Sequence, residues 1–243
     1  MKKITLLFAI VISFLLSIGC CASISNINSP QKDLIHHLKN STASLVERSD
    51  NGAYMPYCGA VWVTKKHLVT AKHCIEDENE KVEIGRTVKF QIFKDFDNHY
   101  PFSKNKKVYV AKVIAQGKDN EDIALLYALN DVKHGIATVV SYSPQAGQQV
   151  HHIGHPQALQ FAYINCFISE ERLYKAFGHE RHVLNIIGFV WYGSSGGGAF
   201  DNQGSLLGIT SMLSVAPGQG LFVHPKIIKS FLDKNKVKYN TLN

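Results

Sequence analysis

Three short stretches hold side chains that together could activate a weak nucleophile. Thr70-Ala71-Lys72-His73-Cys74 follows an apolar run ending in Leu68-Val69. Asp122-Ile123-Ala124-Leu125-Leu126 sets an acid at the head of another apolar run, and Gly193-Ser194-Ser195-Gly196-Gly197-Gly198 is a Gly/Ser cluster. Singly, each has an ordinary reading: a structural His, a turn Asp, a loop. Together, in the order His, Asp, Ser, they form a coherent chemical set. A Ser hydroxyl attacks an amide or ester only when an imidazole takes its proton and later delivers it to the leaving group. A buried carboxylate fixes the imidazole tautomer and stabilises the imidazolium. Attack creates an oxyanion, which needs backbone N–H donors from a tight turn that Cβ atoms would obstruct.

Such residues need a rigid frame, and the surrounding text supplies one made of strands. From Ser44 onward, short β-type runs are separated by turn residues. Ala60–Val63 and His67–Thr70 flank a Lys65-Lys66 turn. Val88, Phe90 and Ile92 alternate with polar residues, as do Val108 and Val110 before Lys112, the pattern of half-buried strands. Further strands are expected at Gln149–Ile153, Phe161–Ile168, Val183–Ile187, Leu206–Ser211 and Gly220–Val223. So many short strands with little helix between them predict an all-β barrel or sandwich. Gln31–Lys39 has Leu34, Ile35 and Leu38 at helical spacing, with His36 and His37 on the polar side. Pro225 followed by Ile227, Ile228, Phe231 and Leu232 predicts a terminal helix over 225–234.

These motifs resemble those of chymotrypsin-like (trypsin-fold) serine peptidases of the bacterial or viral kind, over about Cys58 to Leu232. The resemblance implies two six-stranded antiparallel β-barrels, about 44–131 and 132–224, with the site in the cleft between them and a C-terminal helix. It implies His73 as general base, Asp122 as orienting acid and Ser195 as nucleophile, with the N–H groups of Gly193 and Ser195 as oxyanion hole. It also implies a Cys58–Cys74 disulfide clamping the loop that carries the base. Such a link contributes about 3 kcal/mol in the chain-entropy account. Gly208-Ile209-Thr210-Ser211 resembles the strand that pairs with substrate, and Gly220-Leu221-Phe222-Val223 the opposite pocket wall. The implied pocket residues are Phe189, Val190, Thr210, Ser211, Leu213 and Gly220, with Phe189, six positions before Ser195, at the base. None is charged, so a small or apolar side chain is expected before the scissile bond.

The chain departs from the family pattern at three places. Ser194 stands where animal members place the Asp that pairs with a freed N-terminus. Gly198 replaces the usual Pro. Lys72 replaces a small residue beside His73, and its approach to the imidazole would lower the imidazole pKa. Cys166 is expected as a buried free thiol. His151, His152 and His155 suggest a metal site by proximity alone, but on a strand His151 and His152 point to opposite faces. No metal and no cofactor is expected.

Lys2 and Lys3 precede the uncharged stretch Ile4–Gly19, roughly 24 Å of helix against a hydrocarbon core of about 30 Å. This predicts a secretory signal over 1–19. Leu16-Ser17-Ile18-Gly19-Cys20 resembles a bacterial lipobox, which implies acylation at Cys20, beside Cys21, and membrane attachment through that lipid. The alternative is ordinary cleavage near Cys20-Cys21-Ala22, releasing a soluble protein; either way the mature chain is exported, where disulfides persist. Residues 20–43 are expected as a linker with a short helix, and 44–235 as the peptidase domain. Lys plus Arg total 26 against 19 acids, a formal charge of +7. The lysines are scattered rather than striped, so nucleic acid is not an expected partner. The expected partner is a protein or peptide substrate, and the expected state a monomer. Two other classes fit parts of the pattern: a silent binding module of this fold, and an esterase using the same triad. The α/β-hydrolase order of Ser, acid, His is not the order here.

Overall fold

The computed structural model describes residues 29–95, 107–176, 179–214 and 218–242. The expected signal, Cys20 and Cys21 lie outside the described residues. The chain divides into two compact units, Met1–Ile35 and His36–Asn243, and both barrels lie in the second.

The first barrel is built from β1 (Thr42–Arg48), β2 (Tyr54–Trp62), β3 (His67–Thr70), β4 (Thr87–Ile92), β5 (Tyr109–Gln116) and β6 (Ala124–Ala128), closed in the order β1-β2-β3-β6-β5-β4. Closure pairs every strand edge, which an open sheet would leave exposed. The β2–β3 hairpin turns at Thr64–Lys66, where the Thr64 hydroxyl accepts from the amides of Lys66 and His67 at 3.1 and 2.9 Å. Inward residues, among them Leu45, Trp62, Leu68, Phe90 and Leu126, make one buried core. Helix α1 (Ser29–Asn40) precedes β1 and buries Leu38.

The second barrel contains β8 (Gln149–Gly154), β9 (Ala162–Ala176), β10 (His179–Ile187), β11 (Gly198–Phe200), β12 (Leu206–Leu213) and β13 (Gln219–Val223). The β11–β12 pairing closes this ring into a second six-stranded barrel. Its core is apolar, with Val150, Leu184, Ile186, Leu207 and Phe222 inward. Short β7 (Val139–Val140) and β14 (Thr241–Leu242) add parallel pairings outside it. Helix α2 (Pro225–Lys234) starts with Pro225 after His224, whose Nδ1 accepts from Lys226 N at 3.1 Å. Ile228, Phe231 and Leu232 are buried, and Ile227 is half-buried.

Several boundaries differ from the sequence expectation. Strand β1 begins at Thr42 rather than Ser44, and the chain continues past residue 235 to pair β14 with β7. Most visibly, β9 and β10 are far longer than expected and pair from Ile187↔Phe167 out to His179↔Ala176, with one register shift between Asn185 and Ile186. Residues 170–175 (EERLYK) lack apolar alternation because this part of the hairpin stands clear of the core; cross-strand hydrogen bonds rather than burial hold it. Gly198, in place of the usual Pro, begins β11, where an added Cβ would meet the Phe200 ring and Val61 Cγ2.

Candidate active site

His73 sits on a single 3-10 turn, Lys72–Ile75, directly after β3. The Cys58–Cys74 disulfide ties this turn to β2, with Cα atoms 6.1 Å apart across 16 residues. Asp122 stands just before β6, beside the end of β3, and is 4% exposed. Its Oδ1 accepts from His73 N at 3.0 Å, and its Oδ2 lies 2.9 Å from His73 Nδ1. An ionised carboxylate only accepts, so Nδ1 carries the proton and Nε2 keeps its lone pair. Ser211 on β12 donates its hydroxyl to the same Oδ2 at 2.5 Å. Residues from both barrels therefore orient one imidazole.

Electrostatics follow from this geometry. Burial pulls the His73 pKa down, but the hydrogen bond and charge of Asp122, with Glu76, outweigh it and raise it. Arg181 pushes in the opposite direction. Burial would raise the Asp122 carboxyl, yet the bonds from His73 and Ser211 and the imidazole charge hold it below its ordinary value. Lys72 does not set the His73 pKa. Its ammonium donates to Lys118 O at 3.2 Å, and Arg181 is the cation that acts on the imidazole.

Ser195 lies across the same cleft, whose volume is about 1260 Å³ and whose walls include His73, Asp122, Gly193 and Ser195. Its loop is pinned between the barrels. Gly59 N on β2 donates to Ser195 O at 2.6 Å, Gly196 N donates to Thr210 O at 2.7 Å, and Thr210 N donates to Gly197 O at 2.9 Å. A Cβ on Gly59 would come 2.9 Å from Gly197 Cα, so this approach requires glycine. Gly193 takes φ +93°, a region that favours glycine. Among the described residues, no backbone acceptor takes up the N–H of Gly193 or Ser195. Both remain free to donate to a developing oxyanion.

The expected pocket is corrected in part. Val190, Thr210, Ser211 and Leu213 line the cleft, whereas Phe189 and Gly220 do not. The segment turns at Gly188, whose N donates to Gly218 O at 2.8 Å, and this swings Phe189 outward. Phe189 is 56% exposed and stacks on Trp191, 6.3 Å between ring centroids. Val190 takes the place by the wall instead. A Cβ on Gly220 would meet Val190 Cγ2 at 2.9 Å, so the isopropyl group already fills that space. Trp191, Tyr192 and Arg181, which the sequence reading passed over, also line the cleft. Trp191 and Tyr192 were adjacent to the motif and legible as lip residues; Arg181 lay in a stretch with no strand signal.

The neighbouring histidines are committed elsewhere. His151 bonds with Tyr163 and Asn202, His152 with Gly198 O, and His155 with Ala43 O and Phe161 N. Burial pushes the pKa of His152 down to about 4 and that of His155 to about 3. Glu171, His182 and His224 bring three potential ligand atoms together, with His182 Nε2 2.6 Å from the Glu171 carboxylate. Yet His224 Nδ1 accepts a backbone N–H, so its Nε2 bears the proton and has no lone pair for a metal. Cys166 is a buried free thiol whose pKa burial pushes up to about 12.

A family model for the trypsin-like peptidase domain matches residues 58–209. The chain belongs to this trypsin-like peptidase family and is a serine peptidase, with the two-barrel chymotrypsin-like fold. The active form of the Rv3671c protease from M. tuberculosis superposes with a TM-score of 0.67 at 15% identity, covering 86% of this chain and 87% of that one. The inactive form of the Rv3671c protease gives 0.64 at 17% identity, covering 84% and 93%. The serine endoprotease from Yersinia pestis gives 0.62 at 16% identity, covering 85% and 66%. None of the curated proteins compared matches the chain significantly.

Proposed function

We propose that this chain is an exported endopeptidase that cleaves proteins or peptides through an acyl-enzyme formed on Ser195. The observation that carries the reading is one cleft lined both by His73, oriented by Asp122 and Ser211, and by Ser195 and Gly193, whose N–H groups are free of backbone acceptors among the described residues. In the forward step, His73 Nε2 takes the Ser195 hydroxyl proton as Oγ attacks the carbonyl carbon. The two N–H groups stabilise the oxyanion, and the imidazolium returns the proton to the departing amine. Water then repeats the sequence on the ester. Val190 packed over Gly220 narrows the first pocket and favours a small, uncharged side chain before the scissile bond. The signal over 1–19 and acylation at Cys20 would deliver the enzyme, as a monomer, to a membrane surface outside the cytoplasm. A fluorophosphonate probe tests the chemistry: it should label Ser195 in the parent protein and fail on Ser195→Ala. Labelling at any other residue would overturn the assignment.

A further inference from the structure

Among the described residues, the second barrel contributes a wall to the cleft that is uncharged except at one position, Arg181 on β10. The acidic residues of the cleft, Glu47, Glu76 and Glu80 among them, come from the first barrel. Arg181 has no carboxylate partner among the described residues, and its Nε is buried without a hydrogen-bond partner. Its neighbour on the same hairpin, Arg172, has an Nε orphaned in the same way but pairs its guanidinium with Glu170 at 3.0 Å. A partly desolvated guanidinium left unpaired in a fold's own cleft is costly unless a ligand completes it. Its place is also specific. Arg181 also lines a small space shared with Glu121, Asp122 and Ser211, close enough to His73 to act on its imidazole.

We infer that Arg181 is a specificity residue that binds an acidic side chain two to four positions before the scissile bond. The inference rests on the peptidase reading and names the substrate class of that site. A peptide lying along the edge of β12 from Ser211 to Leu213 runs on the second barrel, past Arg181. A carboxylate there would meet the one cation among the described residues of that wall, and the planar guanidinium suits it in a paired geometry. The residue directly before the bond goes to the narrow pocket by Val190, so the two preferences are separable.

The test uses the full chain and matched peptides with one small residue before the bond and Glu, Gln or Lys at each of the three positions upstream. At one of these positions kcat/KM for Glu should exceed that for Gln about tenfold, the size expected of a hydrogen bond to a charged group. The gain should shrink in high salt. Arg181→Gln should abolish the difference, Arg181→Glu should invert it in favour of Lys, and Arg181→Lys should retain part of it. A Glu/Gln ratio near one in the parent enzyme, or the same ratio in Arg181→Gln, would overturn the assignment. Should Arg181→Gln not fold, the parent ratio, its salt dependence and Arg181→Lys decide. Fluorophosphonate labelling separates the two readings: a labelled enzyme with a flat ratio refutes Arg181 alone, and an unlabelled parent refutes both.

Discussion

The two hydrogen bonds that Asp122 accepts from His73 hold the imidazole with its proton on Nδ1, and under the proposed mechanism Nε2 acts as the base. Removing any member of such a unit removes nearly all of its effect. Ser195→Ala should lower kcat by about 10⁶ with the fold intact, and His73→Ala should cost about as much; steady-state kinetics beside a thermal melt checks both. The pH profile follows from the same contacts. Catalysis needs neutral His73, whose pKa is raised above the ordinary 6.5. Activity should therefore fall with acidification through a midpoint above pH 6.5. Arg181 opposes that rise, so Arg181→Gln should move the acid limb of kcat/KM to still higher pH. A downward shift would contradict the placement of the guanidinium near the imidazole.

Two elements position these groups, and each makes a separate prediction. The 3-10 turn bearing His73 is fastened to β2 by Cys58–Cys74. Replacing both cysteines with Ser should cost about 3 kcal/mol of stability, read as a lower denaturant midpoint at unchanged slope. On the other side, the turn at Gly188 points Phe189 to solvent and leaves Val190 against Gly220. Val190→Gly should open that space, so kcat/KM for peptides with Leu or Phe before the bond should rise relative to Ala. An unchanged ratio would show that another wall limits the pocket. The long β9–β10 hairpin shows why part of the site was not legible in the sequence. Local alternation reports burial, and residues 170–175 are held by cross-strand pairing instead. Arg181 lies on the partner strand opposite Tyr174, where no alternation marks it either.

For the molecule as a whole, the buried imidazoles set a limit on acid tolerance. His152 and His155 are fully buried and neutral, with pKa values pushed down to about 4 and 3. Unfolded, each binds a proton near pH 6.5, so between these values the unfolded state holds more protons and stability falls as pH falls. At pH 5 each would cost about 2 kcal/mol. Asp122 has its pKa lowered by folding, so its contribution is present above its unfolded value and disappears only at lower pH. His73, raised by folding, acts the other way and contributes most below pH 6.5. His224, also buried, has its pKa pushed down to about 4 and adds to the effect of His152 and His155. A Tm measured from pH 7.5 to 5 should decline, and His155→Gln should flatten the decline even at some cost in stability at pH 7.5. A pH-independent Tm would refute the neutral buried state.

What the sequence by itself determined is everything that local pattern encodes. The alternating runs defined strands, Pro225 and the stripe after it defined α2, and three motifs in the order His, Asp, Ser pointed to the serine peptidase family to which the chain belongs. Those motifs are readable because each must carry a particular atom: an imidazole nitrogen, a carboxylate, a hydroxyl flanked by glycines. Only the tertiary structure decided what depends on side chains from distant segments meeting. It brought Ser211 onto Asp122, 89 residues away, and Gly59 onto Ser195. It turned Phe189 out of the pocket and set Val190 in its place. It also carried Arg181 on a solvent-standing hairpin to the edge of the cleft. Direction in space and the partner across a gap arise from barrel closure, and no spacing along the chain records them.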